Sequence, residues 1–313
     1  MESISETVSA YIGQAETDVL AIARKAPRKY KRYLIPKKRK GMRAIHHPAK
    51  ETKALQYALM ETVLRTLRVH DSAVAYRRNR RAPLRRNAAA HAQWEYSIKI
   101  DFHDFFHSIL PDDLFKTFRA NGASLSQADR VFLTHCLFLG PRGINGLPIG
   151  APSSPIVSNA VMHDFDERMR ILANSLSPHS VYTRYADDIT FSTDEKGACR
   201  KFHEGVRRLL PQIEYPRLRL NPSKTVYASR GTRRVVTGLV ITPDGRVSLG
   251  RAKKRYIRKL LFDFTWNRLG PADRSFLSGY LAFIMDVEPD FYNRLVIKYT
   301  AETVERALKA HGP

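Results

Sequence analysis

Apolar positions along the chain recur with two periods, and the switching between them sketches the elements. Ile4, Val8, Ile12, Val19, Leu20 and Ile22 form a loose helical stripe, which predicts one helix over residues 2–24, ended by Pro27. Residues 30–47 alternate around Lys-Lys-Arg-Lys-Gly-Met, predicting a hairpin with Gly41 in its turn. Leu55, Leu59, Val63, Leu64 and Leu67 share one face of a helix expected over 51–67. Tyr96, Ile98 and Ile100 alternate over 95–101, the pattern of a half-buried strand. Further helices are expected over 111–120, 126–139, 156–172 and 202–210. Two short strands are expected over 181–192, around Ala186-Asp187-Asp188. A second strand pair over 235–247 turns at Pro243-Asp244-Gly245. Glycines and prolines mark 141–152 as a loop, and the chain from 253 to 310 reads as mostly helical. No repeat or low-complexity segment interrupts this order. Strands and helices mixed in this way indicate an α+β fold.

Composition adds size and charge. A chain of 313 residues, 43% hydrophobic, is long enough to bury a sizeable core, so its net charge of +23 does not signal disorder. Two cysteines, Cys136 and Cys199, rule out a disulfide framework or a cysteine-rich zinc module. No apolar run is long enough to span a membrane, and the first ten residues carry Glu2 and Glu6 without a basic-then-apolar signal pattern. A cytoplasmic protein is therefore expected. The basic residues fall in three acid-free clusters, Arg24 to Arg43, Arg77 to Arg86 and Arg246 to Lys259. Together these hold about the whole net excess. Clusters without interspersed acids favour a salt-sensitive grip on a nucleic-acid backbone over a merely solvated face. Pro27 and Pro36 interrupt the first cluster, which disfavours a membrane-bound amphipathic helix.

Acids are scarce, so their placement carries information. Asp101 ends the hydrophobic strand Ile98-Lys99-Ile100. Asp187 and Asp188 sit together at a tight turn between apolar strands. Adjacent carboxylates repel unless a cation is near, and hard divalent ions such as Mg²⁺ take carboxylate oxygens while keeping positions open for phosphate. Two such ions about 4 Å apart can activate a hydroxyl and stabilise a leaving pyrophosphate. If the hairpin lies beside the first strand, Asp101, Asp187 and Asp188 converge. An exposed Asp-Asp turn is the bland alternative. His103 and His107 have a metal-ligand spacing, but on a strand end this does not make a zinc site.

The flanking residues make the pattern specific. Tyr185-Ala186-Asp187-Asp188 resembles the catalytic signature of reverse transcriptases, and Asp101-Phe102-His103-Asp104-Phe105-Phe106 resembles their first palm motif. Residues 147–155, Leu-Pro-Ile-Gly-Ala-Pro-Ser-Ser-Pro, resemble the loop before the next palm helix. Asn221-Pro222-Ser223-Lys224-Thr225 resembles the lysine motif, and Val236-Thr237-Gly238 stands where the primer grip belongs. Asn87-Ala88-Ala89-Ala90-His91, Val236-Thr237-Gly238 and Ser278-Gly279-Tyr280-Leu281-Ala282-Phe283 resemble elements of retron reverse transcriptases. Group II intron and diversity-generating types are the rival enzymes. A non-catalytic RNA-binding scaffold is the rival of another class, and the intact acids speak against it.

The resemblance implies a right-hand polymerase with fingers, palm and a small helical thumb. It places an N-terminal helical extension at 1–29, fingers at 30–95, and palm at 96–240 with an interleaved fingers segment at about 111–155. The primer-grip strand and thumb follow at 241–313. Asp101 and Asp187, with the backbone carbonyl of Phe102, are implied to hold two Mg²⁺ ions, with Mn²⁺ as a substitute, and Asp188 to support them. Arg43, with Lys37 or Lys38, is implied to hold the triphosphate, and Phe106 to gate the sugar. Ile149 stands where many relatives carry Gln. Lys224 is implied as a general acid for pyrophosphate, against the alternative of a surface lysine. Asn87 and His91 either touch RNA or brace a helix. Arg77, Arg78, Arg80 and Arg81, then Arg251, Lys253, Lys254, Arg255 and Arg258, are candidates for RNA contact. The implied partners are dNTPs, a cognate structured non-coding RNA and its DNA product, an effector protein and a host RNase H. The implied reaction copies that RNA into DNA from an internal guanosine 2′-hydroxyl, in phage defence.

Overall fold

The computed structural model describes residues 3–37, 41–77, 82–140 and 145–310. Lys38, Arg78, Arg80 and Arg81 lie outside them. The chain opens with α1 (Ile4–Ile12) and α2 (Glu16–Lys25), then β1 (Tyr30–Pro36), β2 (Met42–Pro48), α3 (Lys50–Thr62) and α4 (Pro83–Ala90). Next come β3 (Tyr96–His103), α5 (Pro111–Ala120), α6 (Gln127–Leu137), α7 (Ser154–Val161) and α8 (His163–Leu176). The hairpin β4 (Ser180–Tyr185) and β5 (Asp188–Thr193) leads to α9 (Ala198–Leu209), β6 (Arg219–Leu220) and β7 (Val226–Ser229). A small sheet of β8 (Arg234–Val236), β9 (Leu239–Ile241) and β10 (Val247–Ser248) precedes α10 (Arg251–Thr265), α11 (Pro271–Val287), α12 (Pro289–Tyr299) and α13 (Ala301–Lys309).

The central sheet runs β4-β5-β3-β6, with β7 also pairing β3, all antiparallel. Helix α9 packs on β3 and β5, and α8 on β4. Their shared core holds Ile98, Ile100, Ile189, Phe191 and Phe202, with the Phe191 and Phe202 rings stacked at 4.4 Å. A second core joins α10–α13 to β8–β10 and to Ala88 and Ala92 at the end of α4. Each core carries its own set of elements.

Several expected elements are divided differently. The first helix is two, because Gly13 adopts φ 72° and caps α1, while the Ser3–Glu6 capping box fixes its start. Val8, Val19 and Ala23 lie in the main core, so these helices are packed in rather than appended. The helix expected at 156–172 breaks at Met162, which caps both α7 and α8. The strand pair expected at 235–247 is three strands. In addition to the Pro243-Asp244-Gly245 turn, Thr237 (φ 48°) and Gly238 (φ 80°) make a two-residue β8–β9 turn with the positive φ values that tight hairpins need. Gly41 (φ 100°) lies between β1 and β2 as expected.

Candidate active site

Strand β3 lies between the two strands that matter. Asp101 is registered opposite Asp188 across β3 and β5, and the Phe102 amide donates to the Asp187 carbonyl at 3.3 Å. Carboxylate oxygens of Asp101, Asp187 and Asp188 all lie within 4.8 Å of one another. Like charges placed directly opposite on a sheet destabilise it unless neutralised. Two lysines do this. Lys99 Nζ sits 2.6 Å from Asp188, and Lys224 Nζ lies 2.8 and 3.0 Å from the two oxygens of Asp101. Neutralisation is incomplete. Burial, then the Asp101 carboxylate, raise the Asp187 carboxyl above the ordinary range, against the pull of Lys224 and Arg43. Burial pushes Asp188 up to about 6, despite Lys99. Hard oxygens, close spacing and residual repulsion form a donor set that fits divalent cations.

The turn carrying Asp187 is held from behind. Register pairs Tyr185 with Asp188, so Ala186 and Asp187 form the turn, and Ala186 takes φ 57°. A positive φ in a residue with a Cβ is strained unless its surroundings enforce it. The Arg184 guanidinium donates to the Ala186 carbonyl at 3.1 Å and to Asn159 Oδ1 at 3.3 Å. It also forms a two-pronged pair with Asp166, at 2.8 and 2.7 Å. Both members of that pair are 0% exposed. Tyr182 donates its hydroxyl to the same Asp166 at 2.7 Å. The Arg184 backbone bonds Ser72 and Val74, which ties the hairpin to the segment before α4. Sequence reading missed this lock, since nothing in a strand arginine announces an aspartate 18 residues earlier. Lys99 was legible, because alternation places it on the same face as Asp101.

The other expected residues are placed as follows. Phe105 is buried against Phe102 at 5.8 Å, while Phe106 stays half-buried on the core edge, 5.3 Å from Phe105. The Ile149 carbonyl accepts from the His46 amide at 2.7 Å, joining its loop to β2. Arg43 on β2 is exposed, and its charge acts on Asp187 and on Tyr76. Tyr76, 6.3 Å from Tyr185, was not anticipated. Lys37 is exposed, with its amide bonded to Gly41. Val236 is buried, and Thr237 donates to the Leu84 carbonyl of α4 at 3.0 Å.

Three readings change. Asn87 and His91 are buried, not at an RNA surface. His91 bonds Ser192 at 2.9 Å and Thr183 at 2.8 Å, and Thr183 donates to Asn87 at 2.7 Å. They brace α4 against the central sheet, and burial holds the His91 imidazole down at about 3. Arg77 spends its guanidinium on the carbonyls of Val69, His70 and Ala73. Lys254 pairs with Glu288 and is mostly covered. Arg251, Lys253, Arg255 and Arg258 remain exposed on α10.

Residues 35–258 match the family model described as reverse transcriptase (RNA-dependent DNA polymerase). The chain is 36% identical over 298 residues to the retron Ec83 reverse transcriptase of Escherichia coli, covering 93% of each. It is 35% identical to the retron Ec73 enzyme of the same species, covering 89% of each. The chain belongs to the reverse transcriptases, and among them to the retron type. It is an RNA-directed DNA polymerase. A telomerase structure from Candida albicans, solved with a fragment of telomeric RNA, superposes with TM-score 0.51 at 12% identity. That alignment covers 97% of this chain and 64% of the telomerase chain, and it supports a right-hand polymerase fold of fingers, palm and thumb. No described helix is long and apolar enough to cross a membrane.

Proposed function

We propose that this retron-type enzyme copies part of a cognate structured RNA into single-stranded DNA, starting from the 2′-hydroxyl of an internal guanosine. The convergence of Asp101, Asp187 and Asp188 within 4.8 Å carries the catalytic reading. Asp101 and Asp187, with the Phe102 carbonyl, hold two Mg²⁺ ions, for which Mn²⁺ substitutes, and Asp188 keeps the local field negative. When bound, such ions lower the pKa of the attacking hydroxyl and offset charge on the leaving pyrophosphate. Arg43 and the Lys37–Lys38 region orient the triphosphate. Phe106 and Ile149 border the sugar, where a bulky ring disfavours a ribonucleotide. Lys224 compensates the charge of Asp101, and its flexible stem would let it serve as a proton donor to the leaving pyrophosphate. Val236, Thr237 and Gly238 set the primer strand, and Arg251, Lys253, Arg255 and Arg258 meet the RNA backbone.

On this reading residues 30–95 are the fingers, 96–240 the palm and 241–313 the primer-grip strand and thumb. The enzyme works in the cytoplasm, with a host RNase H removing template and an effector protein completing an antiphage system. The test is DNA synthesis by purified protein with its co-purified RNA, Mg²⁺ and dNTPs. Asp187→Ala abolishes synthesis while RNA stays bound, and equal synthesis by that variant refutes the catalytic assignment. A product that keeps its RNA under denaturing conditions, and releases it to a 2′,5′-debranching nuclease, supports the priming mode. A freely separating product refutes it.

A further inference from the structure

A row of aromatic rings runs along α10 and α11, half exposed at Tyr256 and Phe276 and packed against the second core at Tyr280 and Phe283, and the chemistry described above leaves it unused. Phe276, Tyr280 and Phe283 share one face of α11 by helical spacing. Their rings form a continuous series, 5.3 Å from Phe276 to Tyr280, with planes 22° apart, and 5.4 Å from Tyr280 to Phe283. Tyr256 of α10 extends it, 5.8 Å from Phe276. Tyr256 and Phe276 are 46% and 45% exposed. Gly279 lies on the same face between Phe276 and Phe283, and a Cβ there would meet nothing within 4 Å. Glycine in a helix interior is unfavourable relative to alanine, and packing inside the chain does not call for it here. It leaves bare backbone for close approach from outside.

Charge says what approaches. Lys253 Nζ lies 5.0 Å from the Tyr280 ring centre. Arg251, Arg255 and Arg258 on the same helix are exposed cations, and no acid occurs from Arg251 to Lys259. A surface built for an apolar protein partner has no use for that basic rim, whereas a nucleic-acid strand needs both parts. Phosphates meet the cations, and bases lie on the rings. Base faces are available only where a strand is unpaired. We propose that this strip stacks unpaired bases, in a loop or bulge, of the RNA that the enzyme copies. The choice of RNA as the strand rests on the template assignment above.

The test uses the full chain with a labelled RNA hairpin bearing a loop of unpaired adenines, and the same stem as a blunt duplex. Binding is measured by anisotropy over a salt series. Phe276→Ala is expected to weaken loop RNA roughly tenfold, as stacking losses do. It should leave the blunt duplex and the salt slope unchanged, because stacking releases no counterions. Phe276→Trp should restore loop binding. Equal loss on loop and duplex, no loss on either, or failure of tryptophan to rescue overturns the proposal. A DNA loop that loses as much affinity overturns the assignment to RNA. Lys253→Gln with Arg255→Gln separates the two readings. If that pair leaves the slope unchanged while Phe276→Ala behaves as expected, the phosphate grip fails and the strip stands. If the slope falls while Phe276→Ala changes nothing, the grip stands and the strip fails.

Discussion

Removing the guanidinium of Arg184 should separate two effects, the stability of a buried ion pair and the pose of the turn that carries Asp187. Arg184 and Asp166 are both 0% exposed and share two short hydrogen bonds. Breaking such a pair from one side leaves an uncompensated charge, which costs about 3–5 kcal/mol. Arg184→Met and Asp166→Leu should each lose about that much in urea unfolding. The double variant should recover most of it, because apolar replacement of a whole buried pair is often close to neutral. The Ala186 carbonyl does not recover. Its bond to a charged donor contributes about 1.5–3 kcal/mol. Holding Ala186 at φ 57° costs about 1–3 kcal/mol. The two are matched, so losing the donor lets the turn relax and displaces Asp187. By the factor of ten per 1.4 kcal/mol, single-turnover incorporation at saturating dNTP should fall about tenfold to a hundredfold in the double variant. A double variant that is stable and has a wild-type single-turnover rate would falsify the positioning role. One as unstable as the two single losses added together refutes the pair energetics.

His91 gives a pH dependence. Its folded value is depressed to about 3, so the unfolded chain binds the proton first, and stability present at neutral pH is lost as pH falls below the ordinary imidazole range. Between pH 7 and 5 the wild type should lose about 2 kcal/mol more than His91→Asn, and equal acid sensitivity contradicts the buried neutral ring. Lys224→Met removes the cation competing for Asp101, so calorimetric Mg²⁺ affinity without nucleic acid should rise by up to about fivefold, the worth of a half-exposed ion pair. Weaker binding in that variant counts against competition. In Gly146→Ala the new Cβ would lie 2.2 Å from the His107 carbonyl oxygen, a backbone atom with no rotamer to escape into. That overpacking should cost about 1–3 kcal/mol and lower the Tm, and an unchanged Tm shows that the 106–108 turn yields.

The legible parts were those in which local pattern and local chemistry agree. Alternation in Tyr96, Ile98 and Ile100 set the strand, and Asp101 on its polar face followed from the same period. The hairpin of β4 and β5 followed from two apolar runs around a polar pair. Met162 carries no breaker signal, so the α7–α8 division depends on tertiary packing and was invisible. The apolar stripe alone predicted one helix over 2–24, whereas Gly13 ends α1, as glycine in a left-handed C-cap commonly does. Asn87 and His91 show the opposite limit. The sequence left an RNA contact and a brace both open, and their partners Thr183 and Ser192 lie about a hundred residues away, on β4 and β5. Long-range satisfaction of buried polar groups has no local signature.

The same limit applies to charge. The net charge of +23 and its three clusters pointed to a polyanion, and the structure further divides the cations into groups with different tasks. Lys99 is paired with Asp188, Lys224 with Asp101, Arg184 with Asp166, and Lys254 with Glu288. Arg234 is buried among the carbonyls of Ala92, Trp94 and Thr242, where it clamps the β8–β10 sheet to the start of β3. Cations held by a protein partner and shielded from water, such as Arg184 and Arg234, release no counterions on binding RNA. The salt dependence of RNA affinity therefore counts exposed cations such as Arg251, Arg255 and Lys259 rather than the formal excess. The buried cations instead hold the turn that carries Asp187 and the sheet of β8–β10 in place. One basic composition thus serves capture at the surface and geometry inside, and only the pairing of each side chain tells the two apart.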